Sequence, residues 1–268
     1  MNTSLEGKVA LVTGSSVGVG RAIALRLAQA GADVMVNSRR EERIRPVAEE
    51  IAALGRRSVF HVADLLDGEQ IKAMVDRAAE EFGRLDIVVA NGAGATKMTL
   101  PWRFFHEMDP DFMLGVVLST WLSKAYLIRA ALDHMIPQGS GKIINISTDA
   151  GRTPTVGESL IGGGAAGLML MTRVVARETG RYGIRINTLS TGPLVDNPIN
   201  EIEGYSMLSG QGDAPGATAK VSPKLHSRRM FPVAMHDLAE ATLYLAAETG
   251  DNITGQTWSV NGGLSMPS

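Results

Sequence analysis

The stretch "TGSSVGVG", residues 13–20, decides the fold, because a glycine-rich turn there joins a predicted strand to a predicted helix. The run "KVALVTG" is typical of a buried strand, and residues 18–30 carry apolar side chains at helical spacing. Glycines in such a turn let backbone N–H groups approach a pyrophosphate, which the helix dipole also attracts. A tight turn alone would also use glycine. The strand–turn–helix context favours a dinucleotide site.

Outward from this turn, strands and helices alternate along the whole chain, which predicts a doubly wound α/β fold. We expect one domain over residues 1–268, with a mostly parallel sheet of seven strands and helices on both faces. The other predicted strands are "DVMVNS", "RSVFHVAD", "LDIVVANG", "GKIINIST", "GIRINTLS" and "TWSVNGG". The other predicted helices cover about 41–54, 68–82, 110–136, 158–181 and 236–248. A segment rich in Gly, Pro, Ser and Ala predicts a flexible insertion at about 196–229.

Composition excludes several classes of function. The chain has 268 residues, a net charge of −2 and no cysteine. The charge argues against nucleic-acid or anionic-membrane partners, and no cysteine is available as a nucleophile, metal ligand or disulfide. No two histidines have ligand spacing, so we predict no metal site. The first residues do not look like a signal peptide, and no uninterrupted apolar stretch approaches 18 residues. We therefore expect a cytoplasmic protein without a membrane span.

The end of the second strand bears on the choice of cofactor. NAD sites usually place a carboxylate there for the ribose hydroxyls, but this chain has Asn37, Ser38, Arg39 and Arg40. An arginine at this point suits the 2′-phosphate of NADP(H). The alternative is that these arginines only begin a solvated, charged helix. The sequence favours NADP(H) over NAD(H).

Several motifs, in order, resemble the short-chain dehydrogenase/reductase family. They are "TGSSVGVG", "VADL", "LDIVVANGA", "RINTLSTGPL" and "TGQTWSVNGG", and together they span nearly all of the chain. The resemblance implies a Rossmann-type fold that binds a nicotinamide dinucleotide. It places the cofactor contacts at Gly14, Ser16, Val17, Gly18, Val19, Ser38, Arg39, Asp64, Leu65, Asn91, Gly92 and Gly192. In the family a threonine often stands where this chain has Asp196, near the cofactor's amide and phosphates.

The same resemblance identifies four catalytic positions, and the family's residues are missing from them. The family uses a tyrosine as acid/base, a lysine that tunes it, a serine that orients the substrate and an asparagine that holds a water. Here Thr148 stands at the serine position, Ile161 at the tyrosine, Ala165 at the lysine and Thr120 at the asparagine. The alignment is not slipped, because no Tyr-x-x-x-Lys occurs anywhere. The residues four positions after Tyr126, Tyr182, Tyr205 and Tyr244 are Ala130, Ile186, Ser209 and Glu248.

Two functions remain open at this point. In the first, the chain is a dinucleotide-binding protein with a degenerate active site, acting as a non-catalytic or weakly active subunit or ligand binder. In the second, it is an NAD(P)-dependent oxidoreductase acting on a carbonyl or hydroxyl substrate, with Asp149, Glu158 or Tyr205 as a replacement acid/base. Glu158 has a simpler interpretation as a favourable charge at a helix start. His106, His134, His226 and His236 are interpreted as structural or exposed.

The expected partners are a small-molecule ligand and other protein subunits. The resemblance implies a homodimer or homotetramer built on the helices at 110–136 and 158–181. "STDAGRTPTVGESL" is also similar to family members acting on hydroxyacyl-coenzyme A, some of which pair an active subunit with one that has lost its catalytic residues. An active partner subunit of the same family is therefore a further candidate. The small residues "GGGAAG", 162–167, have three possible roles. They would permit close approach of a helix or of the cofactor, form part of a dimer interface, or leave an empty pocket.

Overall fold

A computed structural model describes residues 2–92, 103–196 and 231–265 of the chain. Its strands are β1 (Val9–Val12), β2 (Asp33–Ser38), β3 (Ser58–Val62), β4 (Ile87–Ala90), β5 (Gly141–Thr148), β6 (Ile184–Thr191) and β7 (Thr257–Ser259). They form one sheet in the order β3-β2-β1-β4-β5-β6-β7. Every neighbouring pair is parallel. The strand order reverses between β1 and β4, which creates the crevice where such folds bind ligands.

Helices cover both faces of this sheet, so its central strands are buried on both sides. The helices are α1 (Gly18–Gln29), α2 (Glu41–Ala53), α3 (Gly68–Phe82), α4 (Pro110–Val117), α5 (Ser123–Gln138), α6 (Ser159–Thr179) and α7 (Met235–Ala246). One core contains side chains of α1, α2 and α7, and a second contains side chains of α3, α5 and α6. Burial on both faces explains why β1 and β4 are continuous apolar runs.

The Rossmann-type fold predicted from the sequence is confirmed, including the seven strands and the helices on both faces. One predicted helix is different in detail, because 110–136 is two helices joined by a π-helical turn at Leu118–Leu122, and the second helix extends to Gln138. The Ser119 and Thr120 hydroxyls both donate to the carbonyl of Val116, at 3.0 and 2.7 Å. Such bonds compete with the regular helical ladder, which is where π turns form.

Two helical stretches, Pro110–Gln138 and Ser159–Tyr182, are long and apolar enough to cross a membrane by length and composition. Both lie against the sheet and contribute buried residues to the core, among them Leu127 and Leu168. A core helix covered by its own protein meets the same test. Of the predicted insertion at 196–229, only Asp196 belongs to the described residues; Tyr205 and His226 lie outside them.

Candidate functional site

The predicted cofactor residues gather at one edge of the sheet. Since all seven strands are parallel, their carboxyl ends meet there. The loop at 13–17 follows β1, Ser38 and Arg39 lie at the end of β2, and Asp64 follows β3. Asn91 and Gly92 follow β4, and Gly192 follows β6. The structure thus brings these residues to the crevice edge, at the position where open α/β sheets bind their ligands.

Close backbone packing shapes the glycine-rich loop. Gly14 has a φ of +58°, and a Cβ there would lie 2.6 Å from the Cα of Gly92. A Cβ on Gly20 would lie 2.3 Å from the carbonyl oxygen of Gly14. Only glycine fits at both positions. The loop is therefore held tightly against the end of β4.

Asn37 fixes this loop from the side of β2, a role that sequence reasoning missed. Its side-chain oxygen accepts from the backbone N–H of Gly14 at 3.2 Å. Its amide nitrogen donates to the carbonyls of His61 and Ala63, at 3.1 and 3.3 Å. The side chain is buried and bridges three neighbouring strands. Asn37 is consequently a structural anchor, and the exposed groups at this end of β2 are those of the residues that follow it.

The start of α1 has the features of an anion site. Its N-cap is Val17, which gives no side-chain capping bond, and the first turn carries no acid. The backbone N–H groups of such a turn are available to a phosphate. Arg39 is exposed, and its guanidinium makes no ion pair within the described parts of the chain. The residues present therefore fit a phosphate-bearing dinucleotide.

Asp64, Leu65, Asn91 and Gly92 complete the described floor of the crevice. One carboxylate oxygen of Asp64 accepts from the backbone N–H of Leu66 at 3.0 Å. The Asn91 amide nitrogen donates to the carbonyls of Thr13 and Gly14, both at 3.2 Å. Leu65 packs over Gly92, where a Cβ would be 2.2 Å from its Cδ1. Asn91 thus locks the loop to β4, and Gly92 leaves room for Leu65.

On the other side of the crevice, Gly192 and Asp196, which precede the predicted insertion, make hydrogen bonds within the protein. Gly192 is buried, and its carbonyl accepts from the hydroxyl of Thr191 at 3.1 Å. Asp196 accepts from the backbone N–H of Met235 at 2.8 Å, the first residue of α7. Asp196 stands at the position where the resemblance implies a threonine. Its carboxylate is held by this hydrogen bond at the start of α7, where the helix dipole favours a negative charge.

Thr148 ends β5, and its hydroxyl oxygen accepts from the backbone N–H of Ala150 at 3.3 Å. The next residue, Asp149, is buried and surrounded by donors. Its carboxylate accepts from Ser190 at 2.5 Å, Ser259 at 3.2 Å, Asn261 at 2.5 Å and Ser265 at 2.9 Å. Asp149 therefore joins β6, β7 and the C-terminal residues to the turn after β5.

Arg152 strengthens the same turn from the other direction. Its guanidinium donates to the hydroxyl of Ser259 at 3.0 Å and to the carbonyl of Thr257 at 2.6 Å. Both partners lie on β7. Of the charged residues that flank the altered catalytic positions, Asp149 and Arg152 are thus structural.

Ile161 and Ala165 lie one turn apart on α6, and both face protein. Ala165 is 2% exposed, and a Cβ on Gly151 would lie 2.9 Å from its Cβ. Ile161 lines a small apolar cleft between α4 and the start of α6, whose described walls include Met108, Phe112, Val116, Gly157 and Leu160. Neither side chain carries a proton that it can exchange, so these two positions contribute shape only.

The small residues of α6 allow other parts of the same chain to pack closely. A Cβ on Gly164 would lie 2.3 Å from the hydroxyl of Thr120, and one on Gly167 would lie 3.3 Å from the Trp121 ring. Gly162 lies against the carbonyl of Ala150. These contacts favour the prediction that the run serves close helix approach. They also bring Thr120 beside the residue that precedes Ala165.

Lys124, one turn after Thr120, is a buried cation that sequence reasoning missed. It is 5% exposed, and its ammonium donates to the carbonyl of Ile146 at 2.5 Å. Burial lowers the pKa of this amine to about 8. Ile146 lies two residues before Thr148 on β5, so the Lys124 ammonium contacts the strand that leads to Thr148.

Glu158 is a second buried titratable group. It is the N-cap residue of α6, and its side chain makes no capping hydrogen bond. The residue is 6% exposed, and burial raises the pKa of its carboxyl to about 7. A carboxyl so placed is half protonated near neutral pH, which is unusual outside functional sites.

No group of three or more His, Asp or Glu side chains that could hold a metal ion occurs within residues 2–92, 103–196 and 231–265. The burial of Asn37, Lys124 and Glu158 had no signal in the sequence. Polar residues in a strand end or a helix usually face solvent, and only the packing of the neighbouring elements buries them here.

Comparisons with known proteins agree with this geometry. The model of the family described as short chain dehydrogenase matches residues 8–201. The 3-oxoacyl-[acyl-carrier-protein] reductase FabG of Staphylococcus aureus (strain Mu50 / ATCC 700699) is 33% identical, over 97% of this chain and 98% of that protein. A short chain dehydrogenase from Burkholderia cenocepacia J2315 in complex with NADP is 30% identical, with a TM-score of 0.81 over 97% and 98% of the two chains. Carveol dehydrogenase from Mycobacterium avium in complex with NAD is 25% identical, with a TM-score of 0.85 over 97% and 98%.

Proposed function

This chain belongs to the short-chain dehydrogenase family, and we propose that it binds a nicotinamide dinucleotide without performing the family's ordinary alcohol or ketone chemistry. It acts as a cofactor- and ligand-binding subunit with a degenerate active site. The absence of the family's ordinary chemistry is inferred from one observation, the apolar pair Ile161 and Ala165 at the tyrosine and lysine positions. When bound, a nicotinamide dinucleotide supplies a hydride donor or acceptor at this edge of the sheet.

The residues of the crevice support the cofactor assignment. The loop from Gly14 to Gly20 and the uncapped start of α1 hold the pyrophosphate through backbone N–H groups. Arg39 pairs with a 2′-phosphate, which favours NADP(H) over NAD(H). Relatives of known structure contain either NADP or NAD, so the preference rests on this arginine and on the missing acid after β2.

The altered site limits the chemistry that follows. A positioned general acid/base contributes about 10²- to 10⁴-fold to a rate. Thr148 offers a hydroxyl to a carbonyl oxygen, but the apolar pair supplies no proton and no charge. Hydride transfer in this site is therefore slow on substrates that need a proton at the same time.

A second candidate function is oxidoreduction of a carbonyl or hydroxyl substrate with a replacement acid/base. The specific observation in its favour is Glu158, whose carboxyl is buried and has its pKa raised to about 7. Asp149 is unsuited to that role, because four donors already hold its carboxylate. Tyr205 lies outside the described residues.

Binding and turnover measured on the same purified protein test the proposed function. Titration with NADPH and NADH should show saturable binding, while ketones, alcohols and acyl thioesters should give no turnover above a buffer control. Absence of binding to either cofactor would leave the loop as a structural turn only. Turnover that Glu158→Gln abolishes would support the second candidate instead.

We also infer that the subunit is cytoplasmic and assembles with other subunits. The proposed assembly is a homodimer or homotetramer, and the alternative partner is a catalytically active subunit of the same family. The exposed apolar side chains of α4 and α6, among them Leu114 and Leu170, support a subunit interface there. An active partner would supply the acid/base that this chain lacks.

A further inference from the structure

Three arginines lie close together at the end of β2 and the start of α2. Arg39, Arg40 and Arg43 are exposed, and in the described ranges none of their guanidinium groups has an ion pair or a hydrogen bond. Glu41, one of the two acids in the first turn of α2, already pairs with Arg45. Positive charges on one helical turn repel each other, so an anion bound between them would relieve this repulsion. The cluster is therefore suited to an anion at this edge of the sheet.

The two flanks of α2 face different neighbours. At about 3.6 residues per turn, Arg43 and Glu50 lie on one flank of the buried face of α2, and Arg45 lies on the other. Arg45 is over the ring of Phe60 on β3, with its guanidinium carbon 5.1 Å from the ring centroid. Glu50 forms an ion pair with Arg21 of α1 at 2.5 Å. The flank that carries Arg43 therefore faces α1.

The same ion pair shows where Arg43 lies relative to α1. Because α1 and α2 each connect two neighbouring parallel strands, the two helices run in the same direction. Arg43 precedes Glu50 by about two turns, or about 10 Å, and the residue two turns before Arg21 is Gly14. Side chains on a helix also tilt toward its N-terminus. Arg43 therefore lies beside the glycine-rich loop, next to the end of β2 where Arg39 is exposed.

We propose that Arg43 is a second ligand of the 2′-phosphate of NADP(H) and determines the cofactor preference together with Arg39. This deepens the proposed function, on which it rests for the presence of a dinucleotide in the crevice. With the pyrophosphate on the loop and the adenine ribose at the end of β2, the 2′-phosphate lies between these two side chains. Glu42 lies on the side of α2 opposite its buried residues, so its charge is directed to solvent.

Two arginines suit this group better than one. A phosphate monoester has three acceptor oxygens and a charge of about −1.5 to −2, so it can accept from two guanidinium groups at once. NADH has a hydroxyl at the same place and gains little from either arginine. Arg43 should therefore affect the binding of NADPH and leave the binding of NADH nearly unchanged.

Calorimetric titration with two adenosine nucleotides tests this proposal without any turnover. The probe is adenosine 2′,5′-bisphosphate, and AMP is the matched probe without the 2′-phosphate. We expect Arg43→Gln to bind the bisphosphate about tenfold more weakly than the wild type, because one charge-assisted pair is lost. AMP affinity should stay within about twofold, and NADPH and NADH should show the same pattern.

Three comparisons separate a phosphate ligand from a structural residue. Arg43→Lys should recover part of the bisphosphate affinity, since lysine keeps the charge but not the paired donors. Arg77→Gln removes an exposed arginine of α3 and should bind both nucleotides like the wild type. In urea unfolding without ligand, Arg43→Gln should be at least as stable as the wild type, because it removes one of three repelling charges.

Two results would overturn the proposal. One is an Arg43→Gln protein that keeps the full wild-type difference between bisphosphate and AMP. The other is a variant that loses stability and weakens both nucleotides equally, which would make Arg43 structural. In either case binding of NADPH and NADH by the wild type leaves the proposed function standing. A wild type that binds neither cofactor would contradict the proposed function and this proposal together.

Discussion

In the proposed function, two side chains on the first turns of α6, Ile161 and Ala165, limit the chemistry of the site. Both are apolar, and Ala165 is packed against the turn that follows β5. A reaction at this edge of the sheet has to obtain its proton from another residue, from water or from another subunit. Replacing these two side chains is therefore the most direct way to restore the family's chemistry.

We predict that the double variant Ile161→Tyr, Ala165→Lys gains reductase activity on a generic ketone with NADPH. The tyrosine returns the acid, and the lysine lowers its pKa from near 10 toward neutrality. Each single variant should remain at least about tenfold less active, since an untuned tyrosine is a poor acid at pH 7. Initial rates of the three variants and the wild type, with cofactor binding as a folding control, provide the measurement. Equal activity of the double variant and the wild type would contradict the assignment of these positions.

Glu158 should make the stability of the protein depend on pH. Burial raises the pKa of the Glu158 carboxyl in the folded protein to about 7, above the ordinary value of 4.5, so the folded protein holds this proton more tightly than the unfolded chain. The free energy of unfolding therefore falls as the pH rises from about 4.5 to 7, by up to about 3 kcal/mol. Urea unfolding at pH 5 and pH 8 should show a smaller loss of stability for Glu158→Gln than for the wild type. Parallel curves for the two proteins would mean that the carboxyl is not buried in solution.

At the scale of single elements, the proposed choice between NADP(H) and NAD(H) depends on the start of α1 and the end of β2. The glycine loop provides binding that does not distinguish NAD from NADP, because the pyrophosphate is common to both. We therefore expect the side chains at the end of β2 to discriminate between the two cofactors: Asn37, within the strand, hydrogen-bonds inside the protein, and Arg39, just after it, is exposed.

We predict tighter binding of NADPH than of NADH, and a reduced difference in the variant Arg39→Ala. A charge-assisted pair with the 2′-phosphate is worth about 1.5–3 kcal/mol, so the variant should lose about tenfold or more in NADPH affinity. NADH affinity should hardly change. The matched control is Arg129→Ala, which removes an exposed arginine of α5 that pairs with Asp133. Calorimetric titration gives both constants, and equal affinities of the wild type for the two cofactors would remove the role of Arg39.

The elements themselves were largely predictable from the sequence, and the reasons are physical. The β1 and β4 strands are short apolar runs because both of their faces are covered, and α3 begins and ends at the predicted residues because Asp67 caps it and Gly83 ends it. The π turn after α4 was not predictable, since it depends on two hydroxyls that share one carbonyl. Burial of Glu158 was equally hidden, because the packing of other elements produces it.

At the scale of the whole molecule, the described helices leave apolar surface uncovered. Leu114 on α4 is 63% exposed, and Leu170 and Val174 on α6 are 58% and 48% exposed. Exposed apolar side chains on two neighbouring helices are typical of a subunit interface. The same helices were predicted to form that interface from the family resemblance, which makes a second copy of this chain the expected occupant.

We predict a homodimer or homotetramer at micromolar concentration. The double variant Leu170→Glu, Val174→Glu should shift it toward the monomer, because it places two charges in an apolar contact. The control Leu54→Glu adds a charge at an exposed apolar position at the end of α2 and should leave the assembly unchanged. Light scattering after size-exclusion chromatography measures the mass. A wild-type protein that is monomeric by itself would favour an active partner subunit of the same family.

Turnover by the unmodified protein tests the central claim most directly. The wild type, shown by titration to bind NADPH or NADH, is incubated with ketones, alcohols and acyl thioesters, and oxidation or reduction of the nicotinamide is followed over hours. We predict no rate above the buffer control, because Ile161 and Ala165 provide neither the proton nor the charge that the reaction needs. Robust turnover by the wild type, lost in Glu158→Gln, would contradict this account and establish a replacement acid.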